Sequence, residues 1–517
     1  MILIDTRTLA LQEFQNSDQR YAILSHTWGP AGEEVTYDEM MAPERSAATR
    51  FKPGYDKIVK TCEIALANYK LPYAWVDTCC INKASSAELS EAINSMFRWY
   101  KDAWVGFAYI SDMTERASSF HQSRWFSRGW TLQELIAPKD LIFFDRNWEF
   151  RGTRESRAGD ISTITGIPTS VLHQYVELSE IPIAQRFSWA STRETTRVED
   201  RAYSLLGIFD INMAMMYGEG QKAFIRLQEH ILSQSADLSI FLWTDLETNQ
   251  KHTGLFAPSP ACFIEMRKVV AEPTFTQREF FLTNRGIRLK LGLTWDTETG
   301  LAILPVKHLF GASDKPAGIY LRRVGQDLFV RAHPQICPTV DAEKVYAVFT
   351  AAKTLTDFQS KSVAHNVIGL TIPQEVTVTR VEPNGSWDPS RHLLHAGHTN
   401  AFLGYMVFQL DLSLFAIVFC FRSGRWSAAA ISRDRWPAVQ ESFYNYYQSY
   451  ANLAELKYND TMPGARMASL KGPHSTAMVV YMRGGHAQPH PFIELQFIDQ
   501  EDSLPPYMQQ VTNDKVE

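Results

Sequence analysis

At 517 residues the chain is too long for one hydrophobic core, and its length calls for two domains, or three. Hydrophobic residues make up 45% and aromatics 12%, a globular composition that leaves only the last dozen residues, 506–517, as an expected disordered tail. The formal charge of -6, without a basic stripe or basic tail, excludes a strong nucleic-acid footprint.

The opening MILIDTRTLALQEF has no charged leader ahead of an apolar run. No window approaches the roughly 18 apolar residues of a spanning helix, so a soluble cytoplasmic protein is expected. Six cysteines (Cys62, Cys79, Cys80, Cys262, Cys337, Cys420) lack C-x-x-C spacing, which fits reduced thiols better than disulfides or a structural zinc site.

Taken in order, a short strand at Met1–Ile4 precedes the apolar run Tyr21–Ser25, which ends in the polar turn SHTWG. Residues 31–52 read as a loop with a short helical piece. After Pro53 and Gly54, the series Tyr55, Ile58, Val59, Cys62, Ala65, Leu66 and Tyr69 predicts an amphipathic helix. Tyr73–Val76 reads as a strand with Asp77 at its carboxyl end. Ser85 and Glu88 have capping-box spacing ahead of a helix striped by Leu89, Ile93, Met96, Phe97 and Tyr100, and Val105–Ile110 follows as a third strand.

The stretch 123–145, SRWFSRGWTLQELIAPKDLIFFD, is expected to hold a short helix capped by Ser127 and stopped by Pro138, then the strand Leu141–Phe144. Trp130 and Glu134 are four residues apart, so an indole lies one turn from a carboxylate in an otherwise apolar segment. A buried carboxylate needs a partner or a purpose. Either it pairs with Arg124 or Arg128, or it grips a ligand or does chemistry.

Strand alternating with helix implies a mainly parallel α/β sheet with flanking helices, whose strand ends at Ser25, Asp77 and Ser111 share one edge with the Glu134 helix. Residues 151–235 read as a helical annex, with helices opening at Ile167–Pro168 and running over Ile183–Ser188, Arg197–Phe209 and Ala223–Leu232. A linker is expected over 236–260. From 261 to 505, short apolar or alternating runs between Gly, Pro, Asn and Asp predict an antiparallel, β-rich C-terminal domain. His392, His395 and His398 are spaced like metal ligands but lack a completing carboxylate or thiolate, so no metal site is assigned.

Phosphate-loop, dinucleotide-fingerprint, H-E-x-x-H and G-x-S-x-G motifs are absent. Cys79 with His26 offers a nucleophile and base, although nothing nearby in sequence would activate the thiol.

Four phrases stand out: YAILSHTWG at 21–29, YAWVDTCCINKASSAELSEAINSMFRWYKDA at 73–103, SRWFSRGWTLQELIAP at 123–138 and RVEDRAYSLLGIFDINMAMMYGEGQKAFIRLQEHI at 197–231. Together they resemble the heterokaryon-incompatibility (HET) domain of filamentous fungi over about residues 1–235. The resemblance implies a fungal effector of non-self recognition and programmed cell death, part of fungal innate immunity. It also implies a fold similar to Toll/interleukin-1 receptor (TIR) domains, whose catalytic members hydrolyse NAD through a glutamate commonly four residues after a tryptophan, a pattern that falls here on Trp130 and Glu134. TCCINKASS stands where many TIR domains carry a glycine-rich loop.

On that resemblance Glu134 is the expected catalytic residue of an NAD glycohydrolase. Ser25, His26, Trp28, Asp77, Arg128 and Trp130 are its expected substrate-binding neighbours, with NAD as substrate and no cofactor. Self-association or another death-signalling protein is the expected partner. The rival reading is a non-catalytic adaptor acting through HET or TIR-like domain association.

Overall fold

The structure, a computed structural model, describes residues 1–271 apart from 16–17, 115–119, 249 and 251; beyond that it describes chiefly strands and adjoining turns of 280–431 and three strands between 466 and 499. The chain divides into two compact units, one of 1–246 with 256–280 and 306–317, the other of 247–255, 281–305 and 318–517.

The first unit is built on a seven-stranded sheet of β1 (Ile2–Asp5), β2 (Leu11–Glu13), β3 (Tyr21–His26), β4 (Tyr73–Trp75), β5 (Val105–Tyr109), β6 (Leu141–Phe144) and β7 (Phe150–Thr153), in the spatial order β2-β1-β4-β3-β5-β6-β7. The four central strands are parallel, as the alternation of strand and helix predicts. Antiparallel β1, β2 and β7 extend the edges. Covered on both faces, β3 is buried at all six positions, which is why YAILSH shows no polar alternation.

Crossover helices α3 (Pro53–Tyr69) and α4 (Ser86–Asp102) carry the chain from β3 to β4 and from β4 to β5. Proline opens α3, and Lys70 ends it in the left-handed region at φ 56°. Ser85 caps α4 by accepting the Glu88 N–H. The buried side of α4 includes Trp99, beyond the predicted stripe, and Trp99 and Tyr100 set their rings edge-on to Trp75 at 5.7 and 5.9 Å. Residues 31–52 hold two short helices, α1 (Tyr37–Met41) and α2 (Ala47–Arg50), with Val35 and Met40 buried in the sheet's core.

The fifth helix, α5 (Thr131–Ile136), is buried along its whole length. Its carboxyl end is held by Arg154, whose Nη1 donates to the carbonyls of Leu135, Ile136 and Pro138 at 3.0, 3.0 and 2.7 Å. A single guanidinium thus satisfies carbonyls that a helix end otherwise leaves open.

The annex is helical as predicted, with one difference. Arg197–Phe209 is not continuous but two single turns, Asp200–Tyr203 and Leu206–Phe209. Beyond them, Gly218 and Gly220 take φ +105° and +61° and turn two N–H groups onto the Glu199 carboxylate at 2.8 and 3.0 Å. The stretch expected as a linker contains a buried turn, Leu238–Phe241, followed by buried Leu242 and Trp243.

The second unit is β-rich, with long antiparallel ladders such as Ala401–Leu410 on Ser413–Arg422 and Gly286–Trp295 on Val345–Ala351. Among the described residues two of its pairings are parallel, Leu328–Ala332 with Val345–Ala351 and Val367–Thr371 with Phe492–Asp499. Pro316–Arg323 and Leu328–Ala332 form an antiparallel pair. The expected tail, 506–517, and His398 lie outside the described residues.

Candidate functional site

The chain leaves β3 for β4 on one side and reaches β5 on the other, so the carboxyl end of β3 is where the winding of the sheet reverses. Open α/β sheets bind ligands in the crevice formed at such a point. Ser25 and His26 end β3, Asp77 follows β4, Ser111 follows β5, and α5 brings Glu134 to the same place.

The inner corner of this crevice is built on Glu134, only 6% exposed. The Ser25 hydroxyl lies 2.5 Å from Glu134 Oε2, and the Trp125 indole N–H donates to Ser25 Oγ at 2.8 Å. With a lone pair of Ser25 taken by the indole, its own proton is aimed at the carboxylate. Burial pushes the Glu134 carboxyl up to about 8 and the Asp77 charge adds to this, while the Ser25 hydrogen bond, Arg128 and Arg193 pull it back. Glu134 therefore carries a proton at neutral pH. It accepts a negative charge only when something cationic or strongly donating arrives.

Arg193, from the annex, backs this corner. Its Nη1 donates to Arg128 O at 2.8 Å and Thr131 Oγ1 at 2.9 Å, and its Nε to Trp189 O at 3.1 Å. Nη2 is buried with no hydrogen-bond partner among the described residues. Burial brings this guanidinium down to about 9, opposed by the Glu134 charge. The turn before α5 is stitched to the same annex strand: Gly129 N–H donates to Glu194 O at 2.8 Å and Glu194 N–H to Ser127 O at 2.6 Å. A Cβ on Gly129 would stand 2.5 Å from Thr195 Cγ2, so only glycine permits the approach.

The outer rim is a second carboxylate in the opposite state. Asp77 Oδ1 lies 3.1 Å from His26 Nε2, and Asp77 Oδ2 accepts the Trp28 indole N–H at 2.8 Å. Burial raises the Asp77 carboxyl, but His26, Lys83 and Trp28 outweigh it and bring it down to about 2. Lys57 Nζ donates to His26 Nδ1 at 3.2 Å and to Glu34 at 2.5 Å. Those partners assign the imidazole proton to Nε2, where it donates to Asp77. Two carboxylates at one sheet edge, one held protonated and one held ionised, are an arrangement suited to acid–base and cation-stabilising chemistry.

The structure brings Ser25, His26, Trp28, Asp77 and Glu134 together and sets Arg128 beside them, its guanidinium 6.0 Å from the Trp28 ring centre. Trp130 is half-buried and its indole hydrogen-bonds Asp200 in the annex; the indole that reaches the acid's partner is Trp125. Trp125, Lys57 and Arg193 were not singled out by sequence. The aromatic spacing within SRWFSRGW was the one available signal, and Lys57 and Arg193 lie 31 and 62 residues from their partners.

One expectation is corrected and two rival readings are set aside. Ser127 does not cap α5: its hydroxyl donates to Arg124 O at 2.9 Å, and the cap position falls on Trp130 without a side-chain bond. Glu134 is paired with neither Arg124 nor Arg128 and takes its hydrogen bond from Ser25; among the described residues no Arg or Lys nitrogen lies within ion-pair range of its carboxylate. Cys79 is fully buried with its thiol turned to Val76 O at 3.9 Å, a packing residue rather than a nucleophile facing the crevice. Among the described residues no cluster of His, Cys, Asp and Glu has metal-holding geometry, and His392 stacks on Trp387 with ring centres 5.9 Å apart.

Residues 21–121, which contain β3, β4, β5 and most of this rim, match the family model described as "Heterokaryon incompatibility protein (HET)". Over 242 residues the chain is 43% identical to the vegetative incompatibility protein HET-E-1 of Podospora anserina, a stretch that makes up 45% of this chain and 17% of that protein. The match thus spans under a fifth of that relative's length. No solved structure matches the chain. No helix among the described residues is long and apolar enough to cross a membrane.

Proposed function

We propose that the N-terminal unit, whose residues 21–121 match the heterokaryon-incompatibility family, is a fungal incompatibility and cell-death module that acts by hydrolysing the nicotinamide–ribose bond of NAD. The observation that carries this reading is Glu134: a buried carboxyl at the reversal point of the sheet, held by Ser25 and unpaired with arginine. The doubly wound parallel order β4-β3-β5-β6 supports the TIR-like comparison on which the reading draws.

The chemistry follows from the charges. As the N-glycosidic bond breaks, nicotinamide departs with the bonding electron pair as a neutral molecule and a ribosyl oxocarbenium ion is left behind. Water then adds to the anomeric carbon and releases a proton. Neutral nicotinamide needs no strong acid to leave, so the step requires a negative group beside the developing cation. The nicotinamide ring of NAD is itself cationic. Its arrival lowers the carboxyl's affinity for the proton and turns Glu134 into that group, while the Ser25 hydroxyl, fixed by Trp125, keeps the carboxylate oriented. Asp77, hydrogen-bonded by His26, remains ionised and orients Trp28 for a flat ring.

The test is direct. The purified chain is incubated with NAD and free nicotinamide is followed for wild type, Glu134→Ala and Glu134→Gln, with circular dichroism confirming the fold. Turnover confined to the wild type supports hydrolysis. Absence of turnover at concentrations that allow self-association, with cell killing that survives Glu134→Ala, would replace it with the adaptor.

A further inference from the structure

We propose that Lys83 and Arg128, gathered around the exposed indole of Trp28, form a clamp for the pyrophosphate of the ligand, so that the site selects a phosphorylated dinucleotide over a nucleoside. This rests on the reading of Glu134 as the cleaving group and adds the part of the substrate that the cleaving group does not touch. Trp28 is 41% exposed, unusual for so large a ring, yet its indole is fixed by the hydrogen bond to Asp77. Lys83 Nζ stands 3.8 Å from the Trp28 ring centre and Arg128 Cζ 6.0 Å from it. The two cations come from different connections, Lys83 from the turn after β4 and Arg128 from the turn before α5, and meet only because both begin at the same sheet edge.

Among the described residues no carboxylate lies within ion-pair range of either cation, and neither side chain donates a hydrogen bond to a protein acceptor. Lys83 is exposed, so its ammonium is open to an arriving anion. An aromatic with one cation over its face, a second beside it and their donors unspent is a site for a phosphate group.

The order of charge across the crevice fits one ligand class. At the rim the cations Lys83 and Arg128 outnumber the carboxylate Asp77, and Glu134 lies inside, which favours a ligand with anionic phosphate outward and a positively charged ring and sugar inward. NAD has that layout. A nucleoside lacks the outer half.

The experiment uses the full chain carrying Glu134→Gln, which holds substrate without consuming it, and titrates NAD, inorganic pyrophosphate and nicotinamide riboside by calorimetry. Lys83→Met keeps the apolar stem on Trp28 and removes only the charge; Arg128→Met does the same for its partner. Each is expected to weaken NAD and pyrophosphate binding roughly tenfold or more, to flatten its salt dependence, and to leave nicotinamide riboside unchanged, with Lys83→Arg restoring most of the loss. Circular dichroism verifies each fold. NAD or pyrophosphate binding as tight in both methionine variants as in the Glu134→Gln parent overturns the clamp, as does failure of the parent to bind either.

Nicotinamide release by otherwise wild-type chains separates the two ideas. Charge-dependent pyrophosphate binding without any nicotinamide release keeps the clamp and removes the cleavage reading. Release unaffected by Lys83→Met and Arg128→Met keeps Glu134 and removes the clamp.

Discussion

Glu134 and Asp77 stand at the same sheet edge and have been driven in opposite directions. Both feel burial, which favours the neutral acid. At Glu134 burial prevails, since its main compensation is one serine hydroxyl, and the carboxyl rises to about 8. At Asp77 an imidazole, an indole N–H and a lysine more than repay the same penalty, and the carboxyl falls to about 2. The comparison teaches that depth alone does not decide which of two acids is reactive. What decides is how much of the desolvation cost the neighbours return.

The comparison can be broken or sharpened by mutation. Among changes that leave both acids in place, the largest effect is expected from Ser25→Ala, which removes the hydroxyl that orients Glu134 and strands the Trp125 indole N–H. NAD turnover should fall by about a hundredfold with folding intact, measured as nicotinamide release. An unchanged rate would show that the inner corner does not depend on Ser25.

Stability against pH should then separate the two acids by sign. Glu134 binds its proton more tightly folded than unfolded, so it costs stability increasingly as pH rises from about 4.5 to about 8. Glu134→Gln removes that cost, and its advantage over wild type should grow between pH 5 and pH 9 to on the order of 5 kcal/mol in chemical denaturation. Asp77 behaves oppositely: its contribution is present above its unfolded value of 3.8 and is lost as pH falls toward about 2. Asp77→Asn should therefore cost about 2 kcal/mol at pH 7 and much less near pH 2. Equal slopes for the two variants would erase the distinction. The smallest effect belongs to a control away from the crevice: Lys60→Ala breaks an exposed pair with Glu63 and should move stability by about 0.5 kcal/mol or less.

Catalysis gives a further handle. If free Glu134 must lose its proton before the sugar cation forms, kcat/KM for NAD should rise with pH and level off above about 8. A profile flat from pH 6 to 9 would detach the reaction from this carboxyl.

Much of the first unit was legible because it is periodic. Pro53–Tyr69 and Ser86–Asp102 carry their burial in their spacing and Tyr21–His26 in an unbroken apolar run, and alternation of such segments fixes a parallel sheet with its strand ends on one edge. That sufficed to bring Ser25, Asp77 and Glu134 together. The edge strand Leu11–Glu13 was not legible, since one half-buried and two exposed residues leave no pattern. The partners of the acid were harder still. Arg193 reaches the turn before α5 from the annex, and Lys57 meets His26 across a crossover, contacts that no local period records. Trp130 was the natural neighbour for Glu134 by helical spacing, yet the short turn Arg124–Ser127 tucks Trp125 beneath the strand end and leaves Trp130 against the annex. In the second unit, alternation showed strands but not their pairing, and nothing in a strand's own pattern foretells the parallel match of Val367–Thr371 with Phe492–Asp499.

The central claim is that Glu134 meets a ribosyl cation, and nicotinamide release from NAD by the wild-type chain beside Glu134→Gln tests it most directly. The expected result is turnover in the wild type reduced on the order of a thousandfold or more in the isosteric variant, with NAD still bound. Equal release by both, or none from a folded, self-associated wild type that binds NAD, would contradict it.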